Sequence, residues 1–154
     1  MKKLWWLTLV GVLVLAACAP TASAPAAAGP KISVESVWGR SSPKVVDAGA
    51  FYVTIKNAGT VADKLIGAKS EACGKLEFHE TVDKGGGMME MQPIVGQMIE
   101  IPAGGTVDLK PGGMHMMCMM KKADFATGTK LPLTLVFEKS GEMKLDAEIK
   151  DTAM

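Results

Sequence analysis

Between Ile32 and Lys150 short apolar runs alternate with polar and glycine-rich breaks, and no stretch sustains a helical period. The pattern predicts ten strands: Ile32–Trp38, Ala50–Asn57, Asp63–Ala68, Lys75–Val82, Met89–Ile94, Met98–Ile101, Thr106–Leu109, Met114–Met120, Leu131–Lys139 and Lys144–Lys150. The breaks include Asn57-Ala58-Gly59, Gly85-Gly86-Gly87, Pro102-Ala103-Gly104-Gly105, Pro111-Gly112-Gly113 and Ser140-Gly141. Short strands with turns at regular spacing predict an all-β domain, an antiparallel two-sheet β-sandwich. A short helical turn is predicted around Lys122–Phe125, and no internal repeat is visible.

Alternation along a strand assigns faces. Leu76 and Phe78 point one way, and Glu77 and His79 the other, so His79 belongs to the polar face. In the run from Met114 to Met120, His115, Met117 and Met119 share a face, and Met114, Met116, Cys118 and Met120 share the opposite one. If the first set lies near His79, the second packs inward, where methionine fills irregular gaps well.

The first 30 residues do not fit this pattern. Lys2 and Lys3 precede an apolar run, Leu4–Ala17, too short to span a bilayer as a stable helix. Leu15-Ala16-Ala17-Cys18 then reads as a lipobox, so residues 1–18 are expected to form a lipoprotein signal with Cys18 as the lipidation site. An ordinary export signal cleaved near Ala17, with Cys18 incidental, is the alternative; either way the protein is exported. Residues 19–30 are nearly all Ala, Pro, Ser, Thr and Gly, a linker composition. The domain is expected over residues 31–154, held off the membrane by the linker, with the lipid as its only membrane attachment. It faces the periplasm or the extracellular side.

Charge narrows the function further. All 16 acidic residues follow residue 30, against 15 basic ones there once Lys2 and Lys3 are set aside, a net of −1. Without a basic stripe the domain is not a nucleic-acid binder. No Ser-His-Asp set, acid pair or cofactor fingerprint suggests an enzyme.

The candidate chemistry lies in the distribution of methionine. The chain has two histidines, His79 and His115, and nine of its twelve methionines fall between Met88 and Met120. Thioethers are soft donors and imidazole suits copper, so a site of these two types selects Cu(I) over hard cations. A lone solvated His and a Met run used as core filler would be the ordinary reading of each feature taken singly.

From Val34 to about Asp151 the chain resembles the PCuAC-type periplasmic copper chaperones. The resemblance rests on Trp38-Gly39-Arg40, Ala50–Asn57, Leu76-Glu77-Phe78-His79-Glu80, Met89-Glu90-Met91-Gln92-Pro93, Ile101–Gly105, Leu109–Met117 and Leu131–Glu138. It implies a cupredoxin-like or Ig-like Greek key and the copper motif H-x10-M-x21-H-x-M. His79 matches the first histidine, and His115 with Met117 the closing H-x-M. The middle ligand is assigned to Met91, at spacings of eleven and twenty-three, with Met89 or Met88 as substitutes; the extra residues fit in the turns at Gly85–Gly87 and around Gly96–Met98. The resemblance further implies a monomeric Cu(I) metallochaperone. Its recipient is the CuA site of a cytochrome oxidase or a thiol-containing assembly factor. Trp38 is expected in the core, and Arg40 in a structural or rim position.

Cys73 and Cys118 lie outside the copper motif. In an exported protein they invite a disulfide that would brace the two histidine strands. The alternatives are reduced core cysteines, or Cys118 as an extra copper ligand. Two further functions compete with the chaperone. A blue-copper electron carrier would need two His, a Cys and an axial Met, but no histidine follows Cys118. A metal-free lipoprotein interaction module would use neither histidine.

Overall fold

The computed structural model describes residues 29–151, so the expected signal, lipobox Cys18 and most of the linker lie outside the described residues. Ten strands are present: β1 (Ile32–Arg40), β2 (Ala48–Asn57), β3 (Asp63–Lys69), β4 (Cys73–Asp83), β5 (Met89–Pro93), β6 (Ile99–Ile101), β7 (Thr106–Leu109), β8 (His115–Lys121), β9 (Lys130–Phe137) and β10 (Gly141–Lys150). Each overlaps one of the ten predicted runs; the largest shift is at β10, which begins at Gly141 and not at Lys144. The helical turn expected at Lys122–Phe125 does not form. That segment is irregular, with Phe125 fully buried and bridged to Ser42. The helical turn among the described residues is a 3-10 turn at Val95–Gln97, where Gly96 takes a positive φ of 75°.

Hydrogen bonding runs in the order β5-β4-β8-β2-β1-β10-β9-β3-β6, with β7 continuing along β2 beyond β8. All pairs are antiparallel except one: β1 and β10 run parallel over Trp38–Arg40 and Glu148–Lys150. Pure antiparallel pairing was therefore too simple. The two layers are joined edge to edge through β1. One cluster fills the interior, with Phe51, Val53 and Ile55 of β2, Phe78 of β4 and Met116 of β8 packed with Leu65, Leu133, Leu135 and Ile149 from the other half. The core belongs to both halves, as in a β-sandwich.

One irregularity decides which residues reach the outer face. In β1, Glu35 pairs with Thr54 but Trp38 pairs with Tyr52, so β1 carries one extra residue at Ser36–Val37, with Ser36 at a φ of 50°. This β-bulge reverses the alternation. Before it Ile32 and Val34 are the half-buried positions, and after it Gly39 faces inward while Trp38 and Arg40 alternate with it. Trp38 consequently stacks on Tyr52 at 4.4 Å between ring centroids and is not part of the core, contrary to expectation. Close approach fixes Gly39 itself: a Cβ there would lie 2.5 Å from Ile149 Cδ1.

Candidate metal centre

β4 and β8 pair so that His79 faces His115, Glu77 faces Met117 and Lys75 faces Met119. Alternation puts these side chains on one face, away from Phe78, Met116 and Cys118, which are buried inside. Met120 breaks the pattern: at a φ of 53° it leaves the strand conformation and is exposed, not packed inward. On the far edge of β4, His79 faces Pro93 of β5 and Thr81 faces Met91. Toward β2, Ala50 faces Met117, and Arg40 of β1 faces Ala50 in turn. Two cross-strand rows result. One runs Trp38, Tyr52, His115, His79, Pro93; the other runs Arg40, Ala50, Met117, Glu77.

The imidazoles lie at the centre of this face. Their ring centroids are 6.0 Å apart, and His115 is 4% exposed although it stands on the outer face. Tyr52 covers it from one side, at 6.3 Å between rings. A ring bound through one nitrogen holds its centroid about 3 Å from a first-row metal ion, so the two rings can share one ion.

Hydrogen-bond partners assign the tautomers. His115 Nδ1–H donates to the Gly113 carbonyl at 3.0 Å, which leaves the Nε2 lone pair free. His79 is held the other way round, with Nε2–H donating to Glu77 Oε2 at 3.3 Å. Its Nδ1 is buried and has no partner, the one such side-chain nitrogen or oxygen among the described residues. Buried polar atoms are nearly always satisfied, and an unpartnered imidazole lone pair beside a second one is the donor arrangement a soft metal ion would complete. The Lys75 ammonium, 2.5 Å away, and then the His79 ring hold Glu77 below the usual carboxyl range, so it stays ionised as the acceptor for His79. Burial pushes the Tyr52 hydroxyl up against the opposing pull of the Arg40 guanidinium, so it stays protonated.

The thioethers differ in placement. Met117 is a diagonal neighbour of His79 and shares a strand face with His115, and such neighbours are in reach of long side chains. Met91 is diagonal to His79 on the other side, on edge strand β5, and 59% exposed. Met89 stands one pair step further out, opposite Asp83. A cavity of about 520 Å³ opens on this face and brings Met89, Met91, His115 and Met117 to a common space; His79 borders the site beside His115 and does not line the cavity. Met88 is 70% exposed and does not line it either. Among the described residues no three His, Cys, Asp or Glu side chains converge on one point. The soft donors that this face offers beside the two imidazoles are the thioethers of Met117, Met91 and Met89.

Cys73 and Cys118 are joined by a disulfide with a Cα separation of 5.5 Å. It ties the start of β4 to the middle of β8, on the inward side of the ladder that carries the histidines. A disulfide-bonded Cys118 has no thiolate to offer, so the set of two His and one Cys needed for blue copper lacks its sulfur. Among the described residues no helix is long and apolar enough to cross a membrane.

The pattern of the family described as "Putative lipoprotein LpqE-like" matches residues 32–149. A "putative lipoprotein" of Leifsonia xyli subsp. xyli is 31% identical over 131 residues, which cover 85% of this chain and 76% of the relative. Among solved structures, the copper-bound PCuAC domain from PmoF2 superposes with a TM-score of 0.66 at 28% identity, covering 82% of this chain and 97% of that one. The CuI-DR1885 solution structure from Deinococcus radiodurans aligns with a TM-score of 0.59 at 25% identity, covering 79% of this chain and 77% of that one.

Proposed function

This chain belongs to the LpqE-like family, a PCuAC-type family, and we propose that it is an exported lipoprotein that carries one Cu(I) ion as cargo. His79 Nδ1, His115 Nε2 and the thioethers of Met117 and Met91 hold the ion. The observation that carries this reading is the pair of imidazole lone pairs, one buried without a partner, on rings 6.0 Å apart. The copper-bound PCuAC domain from PmoF2 and the CuI-DR1885 structure support the metal and its oxidation state.

The donor types suit the task. Cu(I) has a filled d shell and no strong geometric demand, so two nitrogens and two thioethers hold it, and loss of one thioether leaves a three-coordinate ion ready for transfer. Outside the cytoplasm a resident pair of thiols left empty of copper closes to a disulfide, whereas thioethers do not form disulfides, although they can become sulfoxides. The pairing of Met91 with Thr81, one step from His79, favours Met91 over Met89 as the fourth ligand. Met91 also lies on an edge strand and is largely exposed. It is therefore the arm that closes over the ion after the fixed pair and Met117 have bound it, and the first to let go.

We place the anchor on Cys18 and the recipient among proteins with cysteine- or histidine-lined copper sites, the CuA centre of a cytochrome oxidase or a thiol-bearing assembly factor. The test is an anaerobic Cu(I) titration of the purified chain against a competing chelator. One tightly bound equivalent is expected. Its persistence unchanged when His79, His115, Met91 and Met117 are each replaced by Ala would overturn the assignment.

A further inference from the structure

The cavity beside the histidines is far larger than a metal ion needs. Its volume is about 520 Å³ and it extends from Met89 and Met91, past Met117, to Arg40, Ser41 and Ser42. The reason is local. In the row Arg40–Ala50–Met117, the middle position is alanine, and Ala48, two residues before it on the same face, is alanine too. These small residues leave a floor where the neighbouring row is filled by Trp38 and Tyr52. A volume of this size takes a small organic ligand, not a bare ion.

The far end of the cavity is electropositive. Arg40, the chain's single arginine, lines it, turned to this face by the bulge at Ser36. The Tyr52 hydroxyl is its polar neighbour, and no carboxylate lies within ion-pair distance of it among the described residues. The Lys121 ammonium stands behind the same end, but its hydrogen bonds are taken by Ser42 Oγ and the Ser42 and Pro43 carbonyls. Asp151 is nearby and is engaged by the Ser41 hydroxyl at 2.9 Å. A guanidinium in a mostly apolar hollow, with its planar fork unmatched, fits a carboxylate. About two strand spacings separate it from Met117, roughly 10 Å between Cα atoms.

We propose that this cavity is the docking subsite for a small thiol carboxylate that brings the ion. Arg40 holds the carboxylate while the sulfur reaches the Met117–His115 side. The proposal rests on the copper reading above. The step is a ligand exchange with no redox change: a Cu(I)–thiolate bond breaks, Cu(I)–imidazole and Cu(I)–thioether bonds form, and the departing thiolate takes up a proton from water. Arg40 touches the carrier, not the ion.

The test compares Cu(I) uptake by the chain from its complex with 3-mercaptopropionate and from its complex with methyl 3-mercaptopropionate. The second has the same thiol without the charge. Uptake is followed anaerobically by loss of the Cu(I)–thiolate ultraviolet band. Wild type should take copper at least about tenfold faster from the carboxylate complex, as expected for one charge-assisted hydrogen-bonded contact. Arg40→Gln should abolish that preference, Arg40→Lys should restore part of it, and Cu(I) affinity in the absence of thiols should be the same in all three. No preference in the wild type, a result that needs no variant, would overturn the proposal. So would a preference that survives Arg40→Gln, or a loss of thiol-free affinity in that variant. Copper uptake from a thiol-free donor that is insensitive to His115→Ala would instead refute the copper reading.

Discussion

Each histidine of the site has one nitrogen committed to the protein and one left over. Glu77 therefore matters beyond its charge: by accepting the His79 Nε2 proton it keeps Nδ1 as the lone pair. Replacing Glu77 with Ala should weaken Cu(I) binding about tenfold with little change in folding, the usual cost of losing a group that orients a ligand. The proposed ligands should cost more: His79→Ala, His115→Ala and Met117→Ala should each lower Cu(I) affinity well beyond tenfold in a competition titration. Met91→Ala should lower it more than Met89→Ala, because Met91 is the diagonal neighbour of His79 and Met89 is not. If the order of the two methionines were reversed, Met89 would be the fourth ligand. Part of this is readable from the strand alternation, which puts His115 and Met117 on one face of their strand and His79 on the polar face of its own; that the two faces coincide comes from the pairing of β4 with β8. The choice of nitrogen is not, since it depends on where the Gly113 carbonyl and the Glu77 carboxylate come to rest. Nor is the placement of Trp38 and Arg40, because a one-residue bulge at Ser36 reverses the face of everything after it and leaves no signature in the hydrophobic pattern.

At the scale of elements, the strands were legible because glycine and proline punctuate them. The pairing of β1 with β10 was not, because it joins the first and last strands and owes nothing to local sequence. Two devices hold the ligand strands and the second half of the sandwich in place. The Cys73–Cys118 disulfide closes a separation of 45 residues and should contribute about 4 kcal/mol. Reduction, or the double change to Ser, should lower the thermal midpoint measurably in unfolding followed by circular dichroism. The second device is Asp63, 1% exposed at the start of β3, whose carboxylate accepts from the backbone N–H groups of Lys64, Lys139 and Ser140 and from the Ser140 hydroxyl. Burial alone would raise its pKa, but these donors outweigh it and hold the group below its ordinary 3.8. A depressed carboxyl stabilises the fold above the ordinary value, and that contribution is lost as pH falls through the folded value. Acid unfolding should therefore begin below about pH 4, and Asp63→Asn should be less stable at pH 7 by about 1–3 kcal/mol and show a shallower acid limb. An acid limb identical to wild type would remove Asp63 from this role.

For the molecule as a whole, the described residues form a two-layer body with the histidines and the cavity on the same face. The core and the disulfide fix His79, His115 and Met117, while the edge strand β5 carries an exposed thioether to the rim. A carrier needs this division, a fixed half that selects the ion and a loose half that lets it go. The near-neutral domain adds no long-range field, so selectivity must come from donor chemistry at close range. The most direct measurement is X-ray absorption on the anaerobic Cu(I)-loaded chain, counting sulfur and nitrogen neighbours. Two sulfurs at thioether distance with two nitrogens, the sulfur count falling to one in Met117→Ala, is the predicted result. A shell of nitrogen and oxygen alone, or a sulfur count unchanged by Met117→Ala, would contradict a thioether–imidazole copper site.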